Sequence, residues 1–357
     1  MMRSKTLFRL FLVGAVCFAA CRARAADPGS ENLQKLPDRG AVSWNGWAFN
    51  YRIENTNMEG LTLTDVFYKG RKVLAQASLP VVRVKYRGNG KRILSGCGPY
   101  PDKFYSFNLA GRFSPAASIG TVRPYPRNPE LSNVVQFVTR SKDGTDTLGV
   151  YVYAKIGGYI LWQGWNLNTI GRMDPVVYSS GWSCSDGLVK NDHRHHPYWR
   201  MVFRIDDSEN DLWELRAPTE QLPVSRKVVS EQDFTRQMGE ELSFVVSSRT
   251  SPRHALIRFP APPNEHSDPK GSPWFEFAHN DAAIRLYKAS EDRGWNFPVT
   301  DELGYGSPPD SVEHGFTVLW LVSHLGHRYI PGEDDDSRKH NKVWHWTGPS
   351  IQLVNWE

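Results

Sequence analysis

Apolar and polar positions alternate with period two along most of this chain. The runs at 42–53, 61–68, 81–86, 134–139, 148–155, 159–167, 198–205, 212–216, 242–247, 255–259 and 316–322 each place apolar side chains on one face. That spacing predicts β-strands, because successive residues of a strand point to opposite sides. Turn residues separate the runs, and no stretch sustains the 3.6-residue period of a helix. Many strands joined by Gly- and Pro-rich turns predict an all-β chain, a large antiparallel β-sandwich. The stretch 260–273, rich in Pro, Asn, Ser and Asp, reads as an exposed loop, and the acidic run Glu333-Asp334-Asp335-Asp336 as a solvated turn. No internal repeat interrupts this pattern.

The start of the chain is different. Arg3, Lys5 and Arg9 precede an unbroken apolar or small run at 10–20, and Ala23-Arg24-Ala25 follows as an A-x-A cleavage pattern. Residues 1–25 are therefore expected to be a signal peptide, and residues 26–40 a flexible arm. Phe18-Ala19-Ala20-Cys21 is a weaker lipoprotein match, with a lipid anchor at Cys21 as its consequence. Either way the mature chain is expected to be exported, secreted or periplasmic. No later segment is long enough to span a membrane.

The leader also carries the charge. It holds Arg3, Lys5, Arg9, Arg22 and Arg24 and no acid, which accounts for the whole net charge of +5. A neutral mature chain gives no support for a nucleic-acid or membrane-surface partner. Cys97 and Cys184 remain after cleavage; they are either a disulfide or two separate thiols. Thirteen tryptophans are many. They suit a core, and exposed ones would suit stacking on sugar rings.

Candidate chemistry concentrates at Asp192-His193-Arg194-His195-His196, where three of the eleven histidines fall within four residues. The segment leads into the strand pattern at 198. If the strand begins early, His193 and His195 share a face, while Arg194 and His196 face the other way. Two imidazoles side by side are ready ligands for a transition metal; a solvated His-rich loop is the plainer alternative.

Five segments, in order, resemble one family, the copper-containing, topaquinone-dependent amine oxidases. The resemblance is to their C-terminal catalytic β-sandwich domain, in a shortened and divergent form. Glu59-Gly60-Leu61-Thr62-Leu63-Thr64-Asp65-Val66-Phe67-Tyr68-Lys69-Gly70-Arg71 is similar to the family's opening strand pair. In Gly98-Pro99-Tyr100-Pro101-Asp102, Tyr100 falls on the gate tyrosine and Asp102 on the catalytic base. A carboxylate desolvated among Pro and aromatic groups is a better proton acceptor, so an Asp suits that role. The stretch 150–181 is similar to the strand pair bearing the cofactor-forming tyrosine, which falls on Tyr159. His193 and His195 fall on two copper ligands and Arg200 on a following arginine. Val318-Leu319-Trp320-Leu321-Val322-Ser323-His324-Leu325-Gly326-His327 is similar to the segment with the third ligand, matched best by His327 and otherwise by His324.

The chain departs from the family where the cofactor forms. The family's Asn-Tyr-Asp/Glu is Gly158-Tyr159-Ile160 here, so a side chain and a charge that would hold and shield the ring are missing. The resemblance implies residues 41–357 as a catalytic domain. It implies copper held by His193, His195 and His327, topaquinone from Tyr159, and oxidative deamination of a primary amine to an aldehyde with ammonia and hydrogen peroxide. It also implies a homodimer. Zinc would suit three imidazoles nearly as well. Two rivals stay open: a catalytically inactive metal-binding protein of the same fold, and a carbohydrate-binding β protein.

Overall fold

The structure is a computed structural model, and it describes residues 34–54, 60–86, 104–108, 134–140, 144–156, 159–181, 193–218, 223–236, 240–259, 281–289, 308–313, 315–327 and 345–357. Its strands are β1 (Gln34–Leu36), β2 (Arg39–Trp44), β3 (Trp47–Glu54), β4 (Gly60–Tyr68), β5 (Arg71–Tyr86), β6 (Phe104–Asn108) and β7 (Val134–Arg140). Then come β8 (Asp146–Ile156), β9 (Tyr159–Asn168), β10 (Arg172–Gly181), β11 (His193–Phe203), β12 (Asn210–Pro218), β13 (Val224–Val228) and β14 (Gln232–Phe234). The last are β15 (Glu240–Ser248), β16 (His254–Arg258), β17 (Ala282–Leu286), β18 (Thr317–Val322), β19 (Leu325–His327), β20 (His345–Thr347) and β21 (Ser350–Val354). A 3-10 turn spans Ile205–Asp207. No helix among them is long and apolar enough to cross a membrane.

The strands form two antiparallel sheets, as the alternation predicts. The first runs β1-β7-β8-β9-β10-β21-β16-β15-β12-β13, with β20 also on β10. The second runs β14-β17-β18-β11-β5-β4-β3-β2, with β19 on β11 and β6 on β5. They pack face to face. Trp165 of the first sheet meets Trp199 of the second edge-on, with ring centroids 5.3 Å apart. The Gln163 amide also crosses between the sheets. Its Oε1 accepts from Leu61 N at 3.1 Å and its Nε2 donates to Leu61 O at 3.0 Å. A buried amide satisfied on both ends fixes the relative position of two otherwise greasy surfaces without the cost of a lone polar group.

Strand β11 has a buried residue at every described side chain from His195 to Phe203. Its odd positions Trp199, Met201 and Phe203 belong to the core between the sheets. Its even positions Tyr198 and Val202 join a second, outer cluster with Val318, Trp320, Val322 and Ala283. A strand apolar on both faces is a strand covered on both faces.

The structure refines several expectations. The run 42–53 is not one strand. Asn45 (φ 43°) and Gly46 (φ 86°) turn the chain between Trp44 and Trp47, making a β2–β3 hairpin. Both central residues need positive φ, which Asn and Gly accept most readily. The end of the expected flexible arm is strand: β1 pairs with β7, and β2 starts at Arg39. Backbone pairing satisfies those groups, so 34–40 is no loose tail. The run at 81–86 is the last part of the sixteen-residue β5. The leader with Cys21, the loop 260–273, Cys97, Cys184 and Glu333–Asp336 lie outside the described residues.

Candidate metal centre

The His-rich segment is strand from its first histidine. β11 begins at His193, and it pairs with β18 and β19 in one continuous antiparallel register from Val202↔Val318 to His193↔His327. His193 and His327 are therefore direct cross-strand partners. Such partners share a face, with Cβ atoms about 5 Å apart. His195 lies two residues along on that same face.

That face is the inner one. His195 is 1% exposed, and its Nε2 lies 3.2 Å from Ser179 Oγ on β10 of the other sheet. The hydrogen bond thus crosses the sandwich. On β10, Ser179 is paired with Leu161 on one side and His345 on the other, and Gly181 is paired with Tyr159. Position 159 has the parity of Gln163 and Trp165, whose side chains reach the second sheet. Tyr159 thus occupies the inner face of the first sheet, at the end where the second sheet carries positions 193, 195 and 327. Its hairpin is as tight as one can be: Ile156 pairs with Tyr159, leaving only Gly157 and Gly158 between the strands.

The opposite face of β11 carries a different arrangement. His196 is 1% exposed, and its Nδ1 lies 2.8 Å from His324 Nδ1. His324 Nε2 lies 3.1 Å from Asp281 Oδ1. Asp281 accepts in turn from Arg236 backbone N at 2.6 Å and from Arg236 Nε at 2.8 Å. Burial by itself would raise the Asp281 pKa. The His324 hydrogen bond and charge, with the Arg236 guanidinium, outweigh it and hold the group at about 2. His324 was the alternative third ligand. It is engaged on the outer face, so it does not join His193 and His195; strand alternation leaves that place to position 327.

The residues suit a metal in their chemistry. Three histidine positions from two segments share one face of the sheet by strand parity. Neutral imidazole is a good ligand for Cu(II) and for Zn(II). Among the described residues no group of three or more His, Cys, Asp or Glu side chains is close enough to hold an ion; the side chains at 193 and 327 are not among those described. Tyr100, Asp102 and the segment 182–191 also lie outside the described residues. Sequence reading passed over two residues here. Ser179 sits in a polar Tyr-Ser-Ser-Gly run whose strand was visible only through its neighbours. His345 is alone in its segment, and only the β10–β20 pairing brings it beside Ser179.

No family model matches the sequence, and no curated protein is similar to it. Solved structures are similar in shape. An Aspergillus nidulans amine oxidase superposes with a TM-score of 0.63 at 15% identity, covering 89% of this chain and 51% of its own. A copper-containing benzylamine oxidase from Hansenula polymorpha gives 0.59 at 14% identity, covering 89% of this chain and 61% of its own. The Pichia pastoris lysyl oxidase gives 0.61 at 15% identity, covering 95% and 56%. The chain thus spans between half and two-thirds of the length of each. With two large antiparallel sheets in the same arrangement, the chain has the β-sandwich fold found in copper amine oxidases.

Proposed function

We propose that the protein is an exported, copper-dependent amine oxidase, with residues 41–357 as its catalytic domain behind a cleaved leader. The observation that carries the reading is the register of β11 with β19, which pairs His193 with His327 on the face where His195 reaches Ser179. Position 159 faces it from the other sheet.

In this reading His193, His195 and His327 hold the ion. Copper, with oxygen, supplies the oxidation of the Tyr159 phenol to topaquinone and the later return of electrons to oxygen as peroxide. The chain's own residues do the rest. The packed sheets keep bulk water from the reacting end, which strengthens every charge interaction there. Asp102 accepts the proton from the carbon next to the amine nitrogen. Tyr100 stands at the entrance and limits what enters. The substrate is a primary amine, and a homodimer is the expected assembly by resemblance.

Gly158 and Ile160 favour a second reading, a catalytically silent metal-binding protein of the same fold. One set of experiments separates the two. Mature protein is loaded with copper in air; one aliquot is treated with phenylhydrazine, and from an untreated aliquot the peptide containing Tyr159 is weighed. The oxidase gives a coloured adduct, a gain of two oxygen atoms with loss of two hydrogens at Tyr159, and amine-dependent peroxide that Tyr159→Phe abolishes. The silent protein gives copper bound one to one, an unmodified Tyr159 and no peroxide. A carbohydrate-binding protein gives glycan retention that a chelator leaves intact.

A further inference from the structure

The outer face of β11 holds a chain of polar groups that the proposed reaction does not use. It begins at His196, passes through His324 and ends on Asp281, which Arg236 grips by its backbone N and its Nε. An ionised carboxylate only accepts, so His324 donates from Nε2 to Asp281. Between the two Nδ1 atoms one ring donates and the other accepts, according to tautomer.

The location of this chain is informative. The ladder between β11 and its neighbour is broken just there. Pro197 has no N–H, so it accepts from Ser323 N at 3.1 Å and cannot reciprocate. Beyond the break β19 is only three residues long, Leu325–His327. So short a strand has few backbone bonds of its own to hold it. Yet it must keep His327 opposite His193. His196 and His324 face each other in the first rung past Pro197, between the break and the imidazole positions.

We propose that His324 and Asp281 are positioning residues, a latch on the back of the sheet that holds β19 against β11 so that positions 193, 195 and 327 keep one geometry. The inference rests on the metal-centre reading above. The latch ties four segments together: the second residue after β14, the residue before β17, the link between β18 and β19, and β11 itself. Asp281 is further fixed by its backbone, donating to Phe234 O and accepting from Val322 N, both at 2.7 Å. It is therefore a rigid anchor, and a displacement at His324 must be taken up by the three-residue strand.

The test measures Cu(II) affinity of the mature protein by competition with a chelator, beside thermal melting of the metal-free form. His324→Leu and the milder Asp281→Asn are compared with Val318→Ala, which loosens the same outer face without touching the latch. The latch predicts that both variants weaken copper binding about 10- to 100-fold, the usual cost of losing a supporting group behind ligands. It also predicts that they broaden the copper EPR spectrum, while Val318→Ala lowers the melting temperature and leaves affinity unchanged. Affinity in His324→Leu and Asp281→Asn that follows melting temperature on the same line as Val318→Ala overturns the latch alone. A wild-type protein that takes up no copper overturns the metal centre and the latch together.

Discussion

The two ends of the sandwich are closed by opposite chemistries. At one end Trp47 donates to Asn168 O at 2.7 Å and Tyr68 donates to Thr169 O at 2.9 Å. Their rings stand 4.7 Å apart, and Trp356 packs on Tyr68 at 6.3 Å. Each large ring buries its apolar body and places its one polar atom on a backbone carbonyl, the arrangement aromatic side chains favour. At the other end His195 and Ser179 meet in the interior, with Tyr159, His193, His327 and His345 at neighbouring register positions. A buried polar pair such as His195 and Ser179 must find partners or destabilise the fold. The aromatic end is what stability selects, and the proposed metal centre assigns the other end to a ligand.

Substitutions at each end should therefore be read out in different quantities. The largest effect is expected at the aromatic end. Trp47→Ala empties a fully buried position and should cost roughly 3–5 kcal/mol in denaturant unfolding, with copper affinity unaltered in whatever fraction folds. Loss of affinity proportionate to that destabilisation would erase the distinction between the ends. Next, His193→Ala combined with His327→Ala should weaken copper binding by ~100-fold or more, since removing two ligands exceeds the loss of a supporting group. Metal-free melting should hardly move, and equilibrium dialysis decides it.

A smaller effect lies on the outer face. Asp281 titrates at about 2 in the folded protein against an ordinary 3.8. A depressed carboxylate stabilises the fold fully above its unfolded pKa, and that contribution is lost as pH falls from about 4 through about 2. It amounts to about 2 kcal/mol. Acid unfolding of Asp281→Asn should therefore be flatter over that window than wild type, and equal slopes would remove the assigned charge pairing. An effect of similar size is at Gly171, whose φ is +76° and where a Cβ would stand 2.9 Å from the Tyr68 ring. Gly171→Ala should cost about 1–3 kcal/mol, visible in melting and silent in metal binding.

The fold was legible because its signal is repeated. Alternation recurs in strand after strand, and missing one leaves the architecture readable. β10 shows what the pattern hides: Asp174-Pro175 and Ser179-Ser180-Gly181 dilute its apolar count, yet Pro175 sits paired with Trp165 inside the sheet. The hairpin at Asn45-Gly46 was marked by the most diagnostic dipeptide for such a turn, and was masked by apolar residues on both sides. The candidate centre was legible only in part. His193 and His195 announce themselves by spacing. The preference for His327 over His324 rested on resemblance, because the two are three positions apart and either could be opposite His193. The register from Val318 onward pairs His193 with His327. His345 carries no local signal, since only the pairing of β20 with β10 brings it near.

One further consequence follows from the single register that Val202↔Val318 and His193↔His327 share on either side of Pro197. Between Ile205 and Phe316 the chain makes a long excursion, and changes of length in its loops that leave Arg236 and Asp281 in place should be harmless to metal uptake. Within 193–203 or 317–327 the opposite holds. Adding or removing a single residue turns every later side chain to the other side of the sheet, exchanging His193 and His195 with Arg194 and His196. If the proposed centre is right, relatives that bind the ion should vary in length in the loops outside these two eleven-residue windows and never by one residue within them.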